Sequence, residues 1–513
     1  MDRESGSAPQ IGVTAQSPQG TADGVLRPGS AFVGNAAVTL AGMGAGAVFM
    51  MVNEVLAARF LGVAGYGLYA LALMLTKVSG VIAVFGVPIS VLHYLPVYLS
   101  RDERQRALGT VLGSIPLPLA IGVVLALVLG GGGYWIAANV LGQPETGPFL
   151  VVLGCAIPLL VMIDMLGSIS RAFGRALPAV VIQNMAPQLC AIAVVVSLIL
   201  WSGPPIGVAY GQVVGLVVGV SLGIWFVARL VRDRIGRTKP EFELRRLYGY
   251  AAPITLNVAA TLVIGLTDLF LLGLLTDAST VGAYRACMQI VLVFGLPMSA
   301  LRAATAPVYT VLIAEGRQAV LQDTYAGAVR MATLMALPLL LIIVVNGGDL
   351  LRIMGPAFVV GAPALLVLAC GQFVECAFSA AHVVLMIGNR QRLEAANMGL
   401  AAALNLVLNL ALIPAYGLLG AAVSTAISLI ALAVLRGFQL RRILALRTMD
   451  RTLLRIVVVS VPPALVIWAA SVPLGLGPGS GPGPLVLRLV LMIVLIGGGL
   501  WRFCLHAEDR TMR

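Results

Sequence analysis

The chain has 513 residues, 59% of them hydrophobic and only 11% charged, with a mean hydropathy of +1.00. That leaves too little polar surface to coat a water-soluble core, and apolar stretches recur from about Ala31 to about Cys504 without a gap wide enough for a soluble catalytic domain. The net charge of +12 is carried mostly by arginines in short loops between apolar runs, which reads as membrane topology and not as a nucleic-acid footprint.

In chain order, Met1–Gly29 is rich in Ser, Gly, Pro, Gln and Thr and has no apolar h-region; it reads as a disordered cytoplasmic tail (1–30), not a signal peptide. A helix needs ~20 apolar residues to cross ~30 Å of hydrocarbon. That ruler places about fourteen spans, at 31–58, 67–98, 107–134, 148–171, 177–201, 205–229, 248–275, 281–312, 325–346, 359–386, 393–413, 416–436, 452–472 and 485–503; they are numbered in that order below. The expected fold is thus an all-α polytopic membrane protein. Its first six spans fill 31–231, a basic cytoplasmic linker and hinge occupies 232–247, six more spans fill 248–442, and 443–513 holds two extra spans and a short tail.

Loops after even spans are basic: Arg101, Arg104 and Arg106 after span two, Arg171 and Arg175 after four, seven cations between Arg229 and Arg246 after six, Arg317 after eight, Arg390 and Arg392 after ten, and Arg436, Arg441 and Arg442 after twelve. Odd loops carry almost none. The positive-inside rule then puts both termini in the cytoplasm, which requires an even number of spans. An internal repeat is visible as well. Glu54 precedes Gly67-Leu68-Tyr69 across spans one and two by about the distance at which Asp268 precedes Gly282-Ala283-Tyr284 across spans seven and eight. Six spans separate the copies, so the repeats are parallel, an arrangement that leaves a cavity between two bundles.

A charge at the bilayer centre costs ~2.5–3.5 kcal/mol on insertion scales, so each one needs a partner, water or a ligand. Lys77 and Glu375 fall near the middle of spans two and ten, and Asp164 lies just on the cytoplasmic side of the middle of span four. Two readings stand for Lys77: an ammonium that binds a phosphate or carboxylate in a central cavity, or a permanent ion pair with Glu54, Asp164 or Glu375. Glu54 and Asp268 read either as gate or ion-coupling groups or as partners of Arg59 or Arg285 at the extracytoplasmic rim. Arg285 and Arg302 on span eight form a candidate ladder for an anionic substrate, or else snorkel to the interface. Asn405 and Asn409, at i and i+4 on one face of span eleven, are expected to bond to neighbouring helices, and His93 and His382 to be hydrogen-bonded packing residues.

The six cysteines show neither paired spacing nor His partners, so no disulfide framework, metal site or other cofactor is expected. Phosphate-loop, H-E-x-x-H and G-x-S-x-G signatures are missing, so a transporter, not an enzyme, is expected, and any driving force must come from an ion gradient, the membrane potential or consumption of product.

Three blocks carry a family likeness: Ala58-Arg59-Phe60-Leu61-Gly62 to Tyr66-Gly67-Leu68-Tyr69, the stretch from Asp268 to Tyr284, and Gly388-Asn389-Arg390-Gln391-Arg392 leading through Asn405 and Asn409 to Ile413-Pro414-Ala415-Tyr416-Gly417-Leu418-Leu419-Gly420-Ala421-Ala422. In these the chain resembles the Wzx-type polysaccharide-biosynthesis flippases of the multidrug/oligosaccharidyl-lipid/polysaccharide exporter superfamily. The resemblance implies two six-helix lobes around a V-shaped cavity, alternating access in a bacterial inner membrane, and a substrate of undecaprenyl-pyrophosphate-linked oligosaccharide, with a polysaccharide polymerase and export machinery as partners. It also implies a cationic cavity for the pyrophosphate, which favours Lys77, Arg285 and Arg302. Ion-coupling or gating roles then fall to Glu54, Arg59, Asp164, Asp268 and Glu375. A cation-coupled multidrug exporter of the same superfamily is the main alternative, and a membrane glycosyltransferase or polymerase a second.

Overall fold

The structure is a computed structural model that describes residues 30–388, 390–446 and 482–500. The N-terminal tail, the span expected at 452–472 and Cys504 lie outside the described residues. Everything regular among the described residues is helical. Eight helices there are long and apolar enough to cross a membrane, or nine if Pro144–Gly154 and Ile157–Ala172, bent by 42°, make one span.

The twelve segments expected between 31 and 436 are helical over nearly all their length, and the differences lie in where they break. Spans one and two run together as Ser30–Val84, kinked at Gly62 (φ 69°), and spans eleven and twelve as Gln391–Leu444, kinked at Gly417 (φ 53°). Both kinks use the positive φ that only glycine adopts without a Cβ penalty. Span two breaks again at Phe85 and Gly86, both at positive φ, before Val87–Ser100. Span eight passes through a tight turn at Leu292–Phe294 on its way from Ala278 to Ala314.

Loop contacts sort into two faces. Arg106 pairs with Glu241 and Glu243, and Gln318 reaches the Leu444 carbonyl, so loops after even spans meet one another. On the other side Arg59 Nε donates to the Ile353 carbonyl at 2.5 Å, and Gln143 Nε2 donates to the carbonyls of Gly273 and Thr276 at 3.0 and 3.2 Å. We call these the basic face and the opposite face.

The linker expected to act as a hinge is strapped down. The Glu241 amide donates to the Gln105 carbonyl at 3.0 Å, Tyr98 donates to Glu243 at 2.5 Å, and Tyr248 donates to the Gly113 carbonyl at 2.6 Å. His93, expected to be hydrogen-bonded, instead stacks on Tyr250 with ring centroids 4.7 Å apart, and Arg246 lies over Tyr94. The Tyr98 phenol, with Arg106 and Arg246 beside it, holds the Glu243 carboxyl below the usual glutamate range. Spans two and seven are therefore clasped at the basic face. In contrast, the half of span eight nearest that face, Gly295–Ala314, packs on spans nine and ten.

Toward the opposite face the two copies of the repeat meet. A Cβ on Gly67 would overlap the Ala278 carbonyl, and one on Gly282 would overlap the Val63 carbonyl, so these backbones approach as closely as glycine permits. Tyr66, Tyr69, Val281 and Tyr284 are buried around this seam, with Tyr66 edge-on to Phe358 at 5.8 Å.

Candidate functional site

The seam positions the first charged group. Glu54, 5% exposed, receives Arg285 Nη2 on one carboxylate oxygen at 2.8 Å and the Tyr66 hydroxyl on the other at 2.5 Å. Of the two partners expected for Glu54, Arg285 is the one it takes; Arg59 is instead exposed and tied to a main-chain carbonyl. Arg285 does not snorkel, because its side chain is only 16% exposed and is spent on Glu54.

Lys77 follows Gly67 by ten residues, or ~15 Å of helix, which is about half the apolar thickness. It makes no ion pair or hydrogen bond among the described residues, so the ion-pair reading with Glu54, Asp164 or Glu375 is not realised. Glu54 and Arg285 are nonetheless near enough to act on it electrostatically. Its flanking Thr76 and Ser79 are buried while Lys77 itself is exposed. Arg302 comes ~25 Å further along span eight, on the stretch that the first six spans leave uncovered; it is exposed and close to Cys376. The expected ladder is therefore two widely separated cations, one engaged and one open.

Asp268 is 1% exposed. Neither Arg59 nor Arg285 reaches it, so of its two readings the rim pair is not realised. It accepts instead from neutral donors: Tyr284 at 2.9 Å, Asn409 Nδ2 at 2.5 Å, and the Thr425 hydroxyl. Asn409 also donates to Asn405 at 2.9 Å, and its own Oδ1 is buried with no partner among the described residues. The two asparagines thus bind neighbouring helices, and the group they hold is a buried acid with no cation among the described residues. The acid and a tyrosine of the following helix are joined in both repeats, as Glu54 with Tyr66 and as Asp268 with Tyr284.

Glu375 meets Arg436 Nη1 at 2.8 Å, and the same guanidinium grips Glu394 through Nη2 at 2.5 Å and through Nε at 3.1 Å. His382 Nδ1 sits 2.8 Å from Glu394. Two carboxylates thus share one arginine, and Glu375 Oε2 is buried with no hydrogen-bond partner among the described residues. Asp164 is half-buried, 3.5 Å from Gln183 Nε2 on a π-helical turn at Val181–Met185, with Arg171 bonded to the same glutamine.

Sequence reasoning missed Arg436 and Glu394, both 2% exposed. Arg436 ends an apolar run and Glu394 opens one, so each counts as a loop charge when only depth along the chain is read. The signal was the pair itself, since an interfacial Arg and Glu on adjoining antiparallel spans come to the same level. Among the described residues no cluster of His, Cys, Asp and Glu suits a metal ion.

Comparisons with known proteins bear on this geometry. A family model described as polysaccharide biosynthesis protein matches residues 32–310, and the MatE model matches 253–411. The chain is 23% identical over 244 residues to the probable low-salt glycan biosynthesis flippase Agl15 of Haloferax volcanii, covering 46% of this chain and 50% of that protein, so the match spans about half of that relative. It is 26% identical over 387 residues to the uncharacterized membrane protein EpsK of Bacillus subtilis, covering 72% of this chain and 75% of that one. Among solved structures, an inward-facing multidrug-resistance MATE transporter superposes with a TM-score of 0.67 at 15% identity, over 77% of this chain and 94% of its own. The lipid II flippase MurJ, inward closed, superposes with a TM-score of 0.62 at 13% identity, over 93% of this chain and 100% of its own. At such identities the likeness is one of fold.

Proposed function

Because the chain belongs to the polysaccharide biosynthesis protein family, within the multidrug/oligosaccharidyl-lipid/polysaccharide exporter superfamily, we propose that it flips undecaprenyl-pyrophosphate-linked oligosaccharides across a bacterial inner membrane by alternating access. It is a multi-pass membrane transporter, not an enzyme. In this reading the basic face is cytoplasmic, both termini lie there, and the polymerase and export machinery act on the far side. Spans one to six and seven to twelve are the two lobes that rock.

The observation that carries the reading is Lys77: a mid-span ammonium, accessible and without an ion-pair partner among the described residues. An unpaired charge at that depth is tolerable beside water or an anion and not beside lipid tails. A pyrophosphate supplies the missing counter-charge, and Arg285 stands one step further toward the seam. In this reading the headgroup enters beside the half of span eight that carries Arg302 and packs on spans nine and ten, while its polyprenyl tail stays in lipid.

Asp268 favours ion coupling. A buried acid with an orphan amide oxygen next to it takes a proton or a small cation more readily than it stays charged and bare. Glu375 and Asp164 are further coupling candidates, and Glu54 and Arg59 belong to the gate. The same groups would serve a cation-coupled multidrug exporter, so cargo must be tested directly. Protein purified in detergent should retain a pyrophosphate-linked glycolipid through gel filtration, and lose it when Lys77 is replaced by Ala. Retention of lipophilic cations in its place would transfer the reading to the multidrug exporter.

A further inference from the structure

A second cationic site lies away from the seam, where the C-terminal helix Pro482–Leu500 docks on span nine. Arg488, 1% exposed, donates through Nη2 to Asp349, and Arg352 Nη1 reaches the other Asp349 oxygen at 3.1 Å. Among the described residues, two guanidiniums thus share the Asp349 carboxylate, one more positive than negative charge in this group. Among the described residues, buried Arg488 Nε and Nη1 find no acceptor, and one turn further in, buried Asn346 Oδ1 finds no donor. Asn346 Nδ2 faces Met492 Sδ at 3.5 Å.

Depth and access point the same way. Asp349 lies five residues before the end of the helix Gln318–Met354, or ~7.5 Å below its end at the opposite face. That is headgroup level, and the Arg352 side chain, 46% exposed, reaches it. On the C-terminal helix, Leu485, Arg488 and Met492 are buried, whereas Val486, Leu487, Val490, Leu491 and Val494 are exposed apolar side chains on its other flank. That exposed apolar flank is suited to contact with lipid.

We infer that Arg488 and Arg352 form a binding site for the phosphate of an anionic membrane lipid, held between span nine and the C-terminal helix in the leaflet at the opposite face. The Arg488 Nη1 donors, with the Arg352 guanidinium beside the same carboxylate, can make charge-assisted hydrogen bonds to phosphate oxygens. Asp349 orients Arg488 and does not fully neutralise the pair. The site is independent of the cargo reading; only its assignment to the outer leaflet rests on the orientation proposed above.

The test uses the full chain in alkyl maltoside micelles, which contain no phosphate. Added phosphatidylglycerol should raise the melting temperature of the wild type by a few degrees, while a monoglucosyl diacylglycerol and inorganic phosphate should not. Asp349→Asn should enlarge that rise, because it removes the competing carboxylate. The neutral pair Arg488→Gln/Asp349→Asn, which removes both members of the buried ion pair together, should abolish it. If the arginines and Asp349 form only an internal ion cluster, Asp349→Asn will lose stability whichever lipid is present and the neutral pair will keep the full phosphatidylglycerol rise; either result overturns the site. An equal rise with inorganic phosphate alone would overturn the lipid as ligand.

Discussion

Lys77 and Arg285 look alike in the sequence, each a lone cation in an apolar run, yet they end in opposite situations. Arg285 reaches a carboxylate 231 positions away and is consumed by it, while Lys77 is left accessible. The difference predicts different phenotypes. Replacing Lys77 by Ala should leave folding intact and lower polysaccharide export in a complementation assay by about tenfold or more, the value of a charge-assisted contact, with Lys77→Arg largely retained. Replacing Arg285 by Ala strands the buried Glu54 carboxylate and should cost ~3–5 kcal/mol, seen as lost yield and a lower melting temperature. Replacing both residues by apolar ones of similar size should restore much of that stability. The depth of Lys77, Glu375 and Asp164 was legible from residue counting. The partners were not, because Arg436 with Glu375, or Asp268 with Asn409, depend on which helices adjoin, and nothing in a local window encodes that.

At the level of elements, the apolar segments and their order could be read directly from length and hydropathy. The breaks could not: Gly62 and Gly417 mark kinks inside long helices where the sequence suggested ordinary turns, and the basic stretch taken for a hinge is bound to span three by Glu241. The short repeat proved informative, because its two glycines sit where the backbones of the two sets of spans cross most closely toward the opposite face. Gly67→Ala or Gly282→Ala should therefore hold the seam apart. A cysteine placed at Leu71, which is buried against Gly273, in a background without other cysteines should react with a polar thiol reagent in those variants and stay protected when both glycines are present. The clasp between spans two and seven has its own signature. Glu243 titrates below the ordinary glutamate value of ~4.3, so the stability it adds is fully present above that pH and is lost as pH falls through its depressed folded value. Hydrogen exchange across residues 241–248 should accelerate at acid pH in the wild type, and should be fast and nearly pH-independent, after correction for intrinsic exchange, in Glu243→Gln.

For the molecule as a whole, the contacts describe a carrier sealed at one face and asymmetric at the other. Arg59, Gln143, Glu54–Arg285 and the glycine crossing close the opposite face. At the basic face spans two and seven are clasped while span eight turns away from the first six spans. On the reading proposed above, a headgroup entering from that side would meet Arg302 first, then Lys77, and would stop below the seam. Under the alternating access proposed above, opening the seam would exchange these cross-contacts for contacts on the basic face, with an ion at Asp268 or removal of product as the proposed driving force. The most direct test is a flipping assay in proteoliposomes with a fluorescent undecaprenyl-pyrophosphate-linked oligosaccharide, scored by quencher access to the sugar. The account predicts protein-dependent exchange of the label between leaflets that falls by about tenfold or more in Lys77→Ala and is blocked in Gly67→Ala. Exchange no faster than in empty liposomes, or exchange indifferent to Lys77, would contradict it.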